Sequence, residues 1–69
     1  MTLSENTERI RELEYAGFET ELTNEIISEL NDLWLKREML LTHSNQEYLR
    51  GYASGKAEGY RLMLLNKGV

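Results

Sequence analysis

Gly51, Gly55 and Gly59 recur at every fourth position through YLRGYASGKAEGYRLMLL, a stretch that otherwise reads as helix. Each glycine costs a helix interior about 1 kcal/mol relative to alanine, so the set forfeits about 3 kcal/mol. A 69-residue chain that tolerates this loss is expected to use the bare strip for close contact with another backbone. Helix packing, against itself or a partner, is the first property the sequence points to.

Size sharpens that expectation. A chain this short buries only about 60% of its extended surface on folding, and it has no cysteine to staple it. Disulfides, thiolate zinc sites and a cysteine nucleophile are excluded. Small unstapled domains rely on very good helix packing or on oligomerisation. The longest apolar run, Leu62 to Leu65, is far short of the roughly 20 residues a membrane span needs. The N-terminus MTLSENTER has neither the basic nor the apolar region of a signal peptide. These features predict a soluble cytoplasmic protein with no membrane partner.

Charge is unevenly distributed. Residues 1–43 carry ten acids against Arg9, Arg11, Lys36 and Arg37, whereas residues 44–69 carry Glu47 and Glu58 against Arg50, Lys56, Arg61 and Lys67. An acidic front and a mildly basic tail therefore make up the net charge of −4. Such asymmetry orders antiparallel partners or steers association; its simpler reading is a set of solvated helix faces. Glu25, Glu29 and Asp32 fall at helical spacing, so the acidic surface either confers solubility or imitates the phosphate charge of DNA.

The absence of proline favours an all-α fold with few breaks. Thr2 and Glu5 fit a capping box, with Ser4 as a rival cap. Leu3, Ile10 and Leu13 then mark a narrow apolar stripe, and Tyr15-Ala16-Gly17-Phe18 suggests a Schellman stop. Gly17 would take the left-handed position and Phe18 would fold back onto Leu13. The first helix is thus expected over residues 3–16. A second starts at Thr20 or Thr23 and spans about 20–42. In it Leu22, Ile26, Ile27, Leu30, Leu33, Trp34, Leu40 and Leu41 share an arc of about 140°. Ile26, Leu30, Leu33, Trp34 and Leu41 are the expected core, with Leu35 and Met39 on the far side as a second buried surface. Ser44 and Glu47 form another capping box, which starts a third helix at 45 and carries it to 66, with Gly68 beyond. The rival is one uninterrupted helix over 20–66.

Few residues suggest chemistry. Gly51-x-x-x-Gly55-Lys56 is one residue short of a P-loop and is followed by Ala57 where that loop needs Ser or Thr. His43, the only histidine, has Glu47 four residues on, but two ligands do not make a metal site. A helix-capping role suits His43 better. No catalytic set, metal site or cofactor site is expected, and the chain reads as a non-enzyme. Tyr48, Tyr52 and Tyr60 flank the glycine strip together with Met63. Tyrosine beside basic residues can stack on nucleic acid, yet four bases offset by two acids make a poor phosphate footprint. Tyrosine is equally the residue of protein interfaces, and that reading is favoured. Arg37 falls inside the apolar arc of the second helix. It either snorkels or makes an ion pair with the first helix or another subunit that sets register.

YLRGYASGKAEGYRLMLL is similar to the endings of small helical bacteriophage accessory proteins, in which Tyr, Gly and Arg precede a leucine-rich turn. The resemblance covers about a third of the chain. It implies a virus-encoded protein of the host cytoplasm that binds a host or viral protein, and it assigns no residue a role. The expected architecture is a single all-α domain: two long helices packed as an antiparallel hairpin, a short N-terminal helix, and a core completed as a homodimer or larger homo-oligomeric bundle. The expected function is that of an adaptor or inhibitor of a host protein. The alternatives are a self-assembling structural protein and, after it, a DNA mimic or weak nucleic-acid binder.

Overall fold

The computed structural model describes residues 1–42 and 47–67, and every regular element among them is helical: α1 Leu3–Glu19, α2 Asn24–Leu40 and α3 Glu47–Lys67. The expected Ser44 cap, the helix start at Asn45, His43 and Gly68 lie outside the described residues. α2 and α3 are separate elements, which removes the alternative of a single helix over 20–66.

α1 opens on the Thr2–Glu5 capping box. Thr2 is extended (φ −84°, ψ 165°), its Oγ1 accepts the Glu5 N–H at 3.1 Å, and its own N–H donates to Glu5 Oε1 at 2.9 Å. These bonds satisfy donors that a helix start otherwise leaves orphaned. The hydrogen bonds from Thr2 also hold the Glu5 carboxyl below its ordinary value. Burial in α1 falls on Asn6, Ile10 and Leu13, an i, i+4, i+7 stripe. Leu3, expected on that stripe, is exposed, and the polar Asn6 takes the buried position instead.

The first helix does not stop at Gly17. No glycine among the described residues has a positive φ, so the expected Schellman turn is absent. α1 continues to Glu19, and Phe18 is 88% exposed rather than folded onto Leu13. Gly17 is bare for a different reason. A Cβ there would lie 2.9 Å from Leu22 Cγ and closer still to Leu22 Cδ2, so the missing side chain lets Leu22 close over the end of α1. Thr20 terminates the helix, its N–H and its hydroxyl both donating to the Ala16 carbonyl, at 3.1 and 2.9 Å.

α2 starts from Thr23, whose Oγ1 accepts the Ile26 N–H at 3.3 Å. Glu25 in its first turn and Arg37 in its last complement the helix dipole. It ends where the Leu41 N–H returns to the Arg37 carbonyl and the Thr42 N–H to that of Met39, at 3.0 and 3.1 Å. Ile27, Leu30, Leu33 and Trp34 are buried along it, as is Leu41 just beyond, while Ile26 is half-buried. Leu35 and Met39, expected on a second buried surface, are 46% and 66% exposed. Leu35 borders α3, sharing a shallow depression with Ser54 and Ala57, but is not closed over by it.

α2 lies between the other two helices and packs against both, whereas the backbones of α1 and α3 stay apart. Ile10 and Leu13 of α1, Leu30, Leu33 and Trp34 of α2, and Ala53 and Ala57 of α3 form the central cluster, flanked by Leu22, Ile26 and Tyr60. Ala53 and Ala57 are fully buried. Their small side chains bring α3 close enough for Asn31 Nδ2 to donate to the Ala57 carbonyl at 2.7 Å. Along the contact, Asn31 meets Ala57, and Trp34, further along α2, meets Tyr52, earlier in α3.

Candidate functional site

The glycines of α3 point away from the fold. A Cβ built on Gly51, Gly55 or Gly59 meets nothing within 4 Å. At about 100° per residue these positions centre roughly 180° from Ala53 and Ala57, the pair facing α2. The close helix approach expected of small residues does occur within the chain, but alanine makes it on the opposite side. The glycine strip is left open.

Around the strip the same projection gathers Tyr48, Tyr52, Leu62 and Met63 into an arc of about 120° that carries no charged side chain. Tyr48, Tyr52 and Leu62 are 74%, 60% and 47% exposed, and Met63 is half-buried. Toward the C-terminal half of this face, Leu22, Gly55, Lys56, Gly59, Tyr60 and Met63 line a shallow groove of about 350 Å³. The glycines are its low floor, and Tyr60 and Met63 rise beside it.

The edge of the face is anchored to the rest of the fold through one carboxylate. The Tyr60 hydroxyl donates to Glu14 Oε2 at 2.7 Å, and Lys56 Nζ lies 3.3 Å from the same oxygen. Burial, together with the bond to Glu14, raises the Tyr60 hydroxyl well above the ordinary tyrosine range. Lys56 also sits 5.3 Å from the Tyr60 ring centroid and 5.5 Å from that of Trp34. Tyr52 meets Trp34 edge-on, with centroids 5.7 Å apart at 71°. Tyr52 and Tyr60 are therefore oriented by the core, whereas Tyr48 is simply exposed.

Arg37 has a defined set of partners at the α1–α2 contact, and they are neutral. Its Nη1 donates to Thr7 Oγ1 at 2.6 Å and to Asn6 Oδ1 at 3.3 Å, and its guanidinium lies 6.0 Å from the Trp34 ring centroid. Of the expected alternatives for Arg37, snorkelling or an ion pair with the first helix or another subunit, the pair with the first helix is not made among the described residues, and this polar contact stands in its place. Asn6, with no exposed surface, completes it by donating Nδ2 to the Leu33 carbonyl at 2.9 Å. Beside it, Arg9 pairs with Glu29 through Nε at 2.6 Å.

Sequence reasoning passed over Asn6 and Glu14. Asn6 was detectable, since it occupies the i−4 position of the Ile10 stripe. Glu14 gave no signal, because its partners lie 42 and 46 residues away on α3. Among the described residues no group of three histidine or acidic side chains is placed to hold a metal, and no helix is long and apolar enough to cross a membrane. The chemistry this surface offers is apolar and aromatic contact. No family model matches the chain, and no curated protein or solved structure matches it.

Proposed function

We propose that this chain is a non-enzymatic interaction protein that associates through the open face of α3. The observation that carries the reading is the uncharged arc of that helix. Three glycines cost it about 3 kcal/mol of helix stability and relieve no crowding within the chain. A second helix laid on the strip would turn that loss into close backbone contact, with the tyrosines and Met63 as the large, rigid contacts typical of interfaces.

The first partner in this reading is a second copy. A homodimer in which the antiparallel α2–α3 pairs face one another covers both glycine strips at once, as a two-fold interface requires. The resemblance of the α3 sequence to endings of phage accessory proteins extends the reading to a virus-encoded adaptor or inhibitor that captures a host protein. Light scattering of the folded protein at micromolar concentration tests the first step, and affinity capture from host lysate tests the second. Capture of nothing but its own chain favours a self-assembling structural protein over an adaptor.

A further inference from the structure

Adjoining the open face of α3 at Tyr52, another concavity of about 260 Å³ lies between α1 and α3. Ile10 and Arg11 of α1 form one wall, Leu49 and Tyr52 of α3 the other, and α2 places Trp34 and Arg37 between them. The volume falls just below the range of drug-sized ligand sites, roughly 300 Å³ and upward, which limits any occupant to a small molecule. Four of these residues are apolar or aromatic and two are cations, in a protein whose net charge is −4.

The two cations here belong to those left without acids among the described residues, as do Lys36 and Arg50 elsewhere. Arg9 pairs with Glu12 and Glu29, Lys56 with Glu14, and Arg61 with Glu58. Arg11 and Arg37 have no ion-pair partner among the described residues. Arg37 uses Nη1 on Thr7 and Asn6, so its other donors stay unspent. Glu14, the carboxylate that also borders the groove, is already committed to Lys56 and Tyr60. The buried Nε1–H of Trp34 has no partner either. Two guanidinium groups bordering one small apolar groove repel each other, and an anion between them reverses the sign of that interaction.

We propose that this groove binds a carboxylate carried on a short apolar chain. The chain lies against Ile10, Leu49, Trp34 and Tyr52, and the carboxylate accepts charge-assisted hydrogen bonds from Arg11 and Arg37, whose planar forks match its geometry. A single negative charge suits the site better than a phosphate dianion, because the walls are apolar and Glu14 stands at the rim.

Trp34 is the only tryptophan and forms part of the wall, so its fluorescence reports occupancy directly. The protein is titrated with hexanoate at constant ionic strength, with hexanamide as the uncharged control and Arg11→Gln as the variant. Arg11 is exposed, so the melting curve of Arg11→Gln should match that of the parent. The expected result is a saturable change with hexanoate, weakened at least about tenfold both by the amide and by the variant, as loss of a charge-assisted bond implies. A proton–nitrogen correlation spectrum should place the shifts at Ile10, Leu49 and Tyr52. Equal binding of hexanamide, unchanged binding by Arg11→Gln, shifts elsewhere, or no saturable change each overturn the proposal.

Discussion

Replacing Asn6 by alanine removes the polar connection between α1 and α2 at its most buried point. The side chain has no exposed surface, donates to the Leu33 carbonyl at 2.9 Å and accepts from Arg37 at 3.3 Å. A net hydrogen bond contributes about 1 kcal/mol, and one to a charged group about 1.5 kcal/mol at the low end, which fits the longer bond to Arg37. Arg37 keeps Thr7, so it is not stranded, and the Leu33 carbonyl retains its helical partner. The expected cost is therefore about 2–3 kcal/mol for the two bonds together. A domain of this size has roughly 3–10 kcal/mol in all, so the urea midpoint should fall by a large fraction, read by Trp34 fluorescence and by far-ultraviolet dichroism. Asn6→Asp should not rescue it: the carboxylate would meet Arg37 but would face the Leu33 carbonyl with no donor. A midpoint unchanged by Asn6→Ala, or a full rescue by aspartate, would refute the assignment of this contact as a structural link.

Three further outcomes follow from the packing. Leu30→Ala opens a cavity at a fully buried position and should cost about 2–5 kcal/mol; a melting curve that does not move would place Leu30 outside the core. Gly17→Ala drives a Cβ into Leu22 and should lower the melting temperature even though alanine is the better helix former, whereas a rise would show that Leu22 gives way freely. Tyr60 should ionise later than a free tyrosine in an alkaline absorbance titration, because burial and Glu14 favour its neutral form. That contribution to stability is complete below about pH 10, where the unfolded phenol begins to ionise, and is lost as pH climbs toward the higher folded value. Tyr60→Phe should flatten this alkaline decline, and a decline of the same size in the variant would assign it to other groups.

The parts of the fold that were legible in the sequence are those set by local rules. Thr2 with Glu5 is a cap written in four residues, and the apolar arc of α2 is a periodicity that burial of Leu30, Leu33 and Trp34 follows. The sequence leaves the start of α2 open between Thr20 and Thr23, and Thr23 takes it while Thr20 ends α1. The misreadings share a cause: one residue type has two uses, and only tertiary context chooses between them. Gly17 fits a left-handed stop as well as it fits a helical position crowded by Leu22, and the approach of Leu22 is not encoded nearby. The glycine strip and the Ala53–Ala57 pair are both small-residue patterns at spacing four, and α2 packs on the alanines. Leu35 and Met39, apolar residues on the far side of the arc, look like a second buried surface, yet α3 reaches only the edge of Leu35 and both stay exposed. Arg37 signalled a polar contact inside an apolar seam, but its partners, Asn6 and Thr7, are 31 and 30 residues distant.

Sedimentation equilibrium of the unmodified chain beside Gly55→Leu tests most directly whether the open face of α3 is an interface. In a single chain the added leucine meets nothing within 4 Å of its Cβ and improves helix propensity by up to about 1 kcal/mol, so the fold itself tolerates it. If two copies meet on the glycine strip, the parent should sediment at twice the 8.1 kDa chain mass at micromolar concentration, and Gly55→Leu should shift it toward a folded monomer. A folded parent that remains at 8.1 kDa across that range, or a dimer that Gly55→Leu leaves intact, would contradict the account.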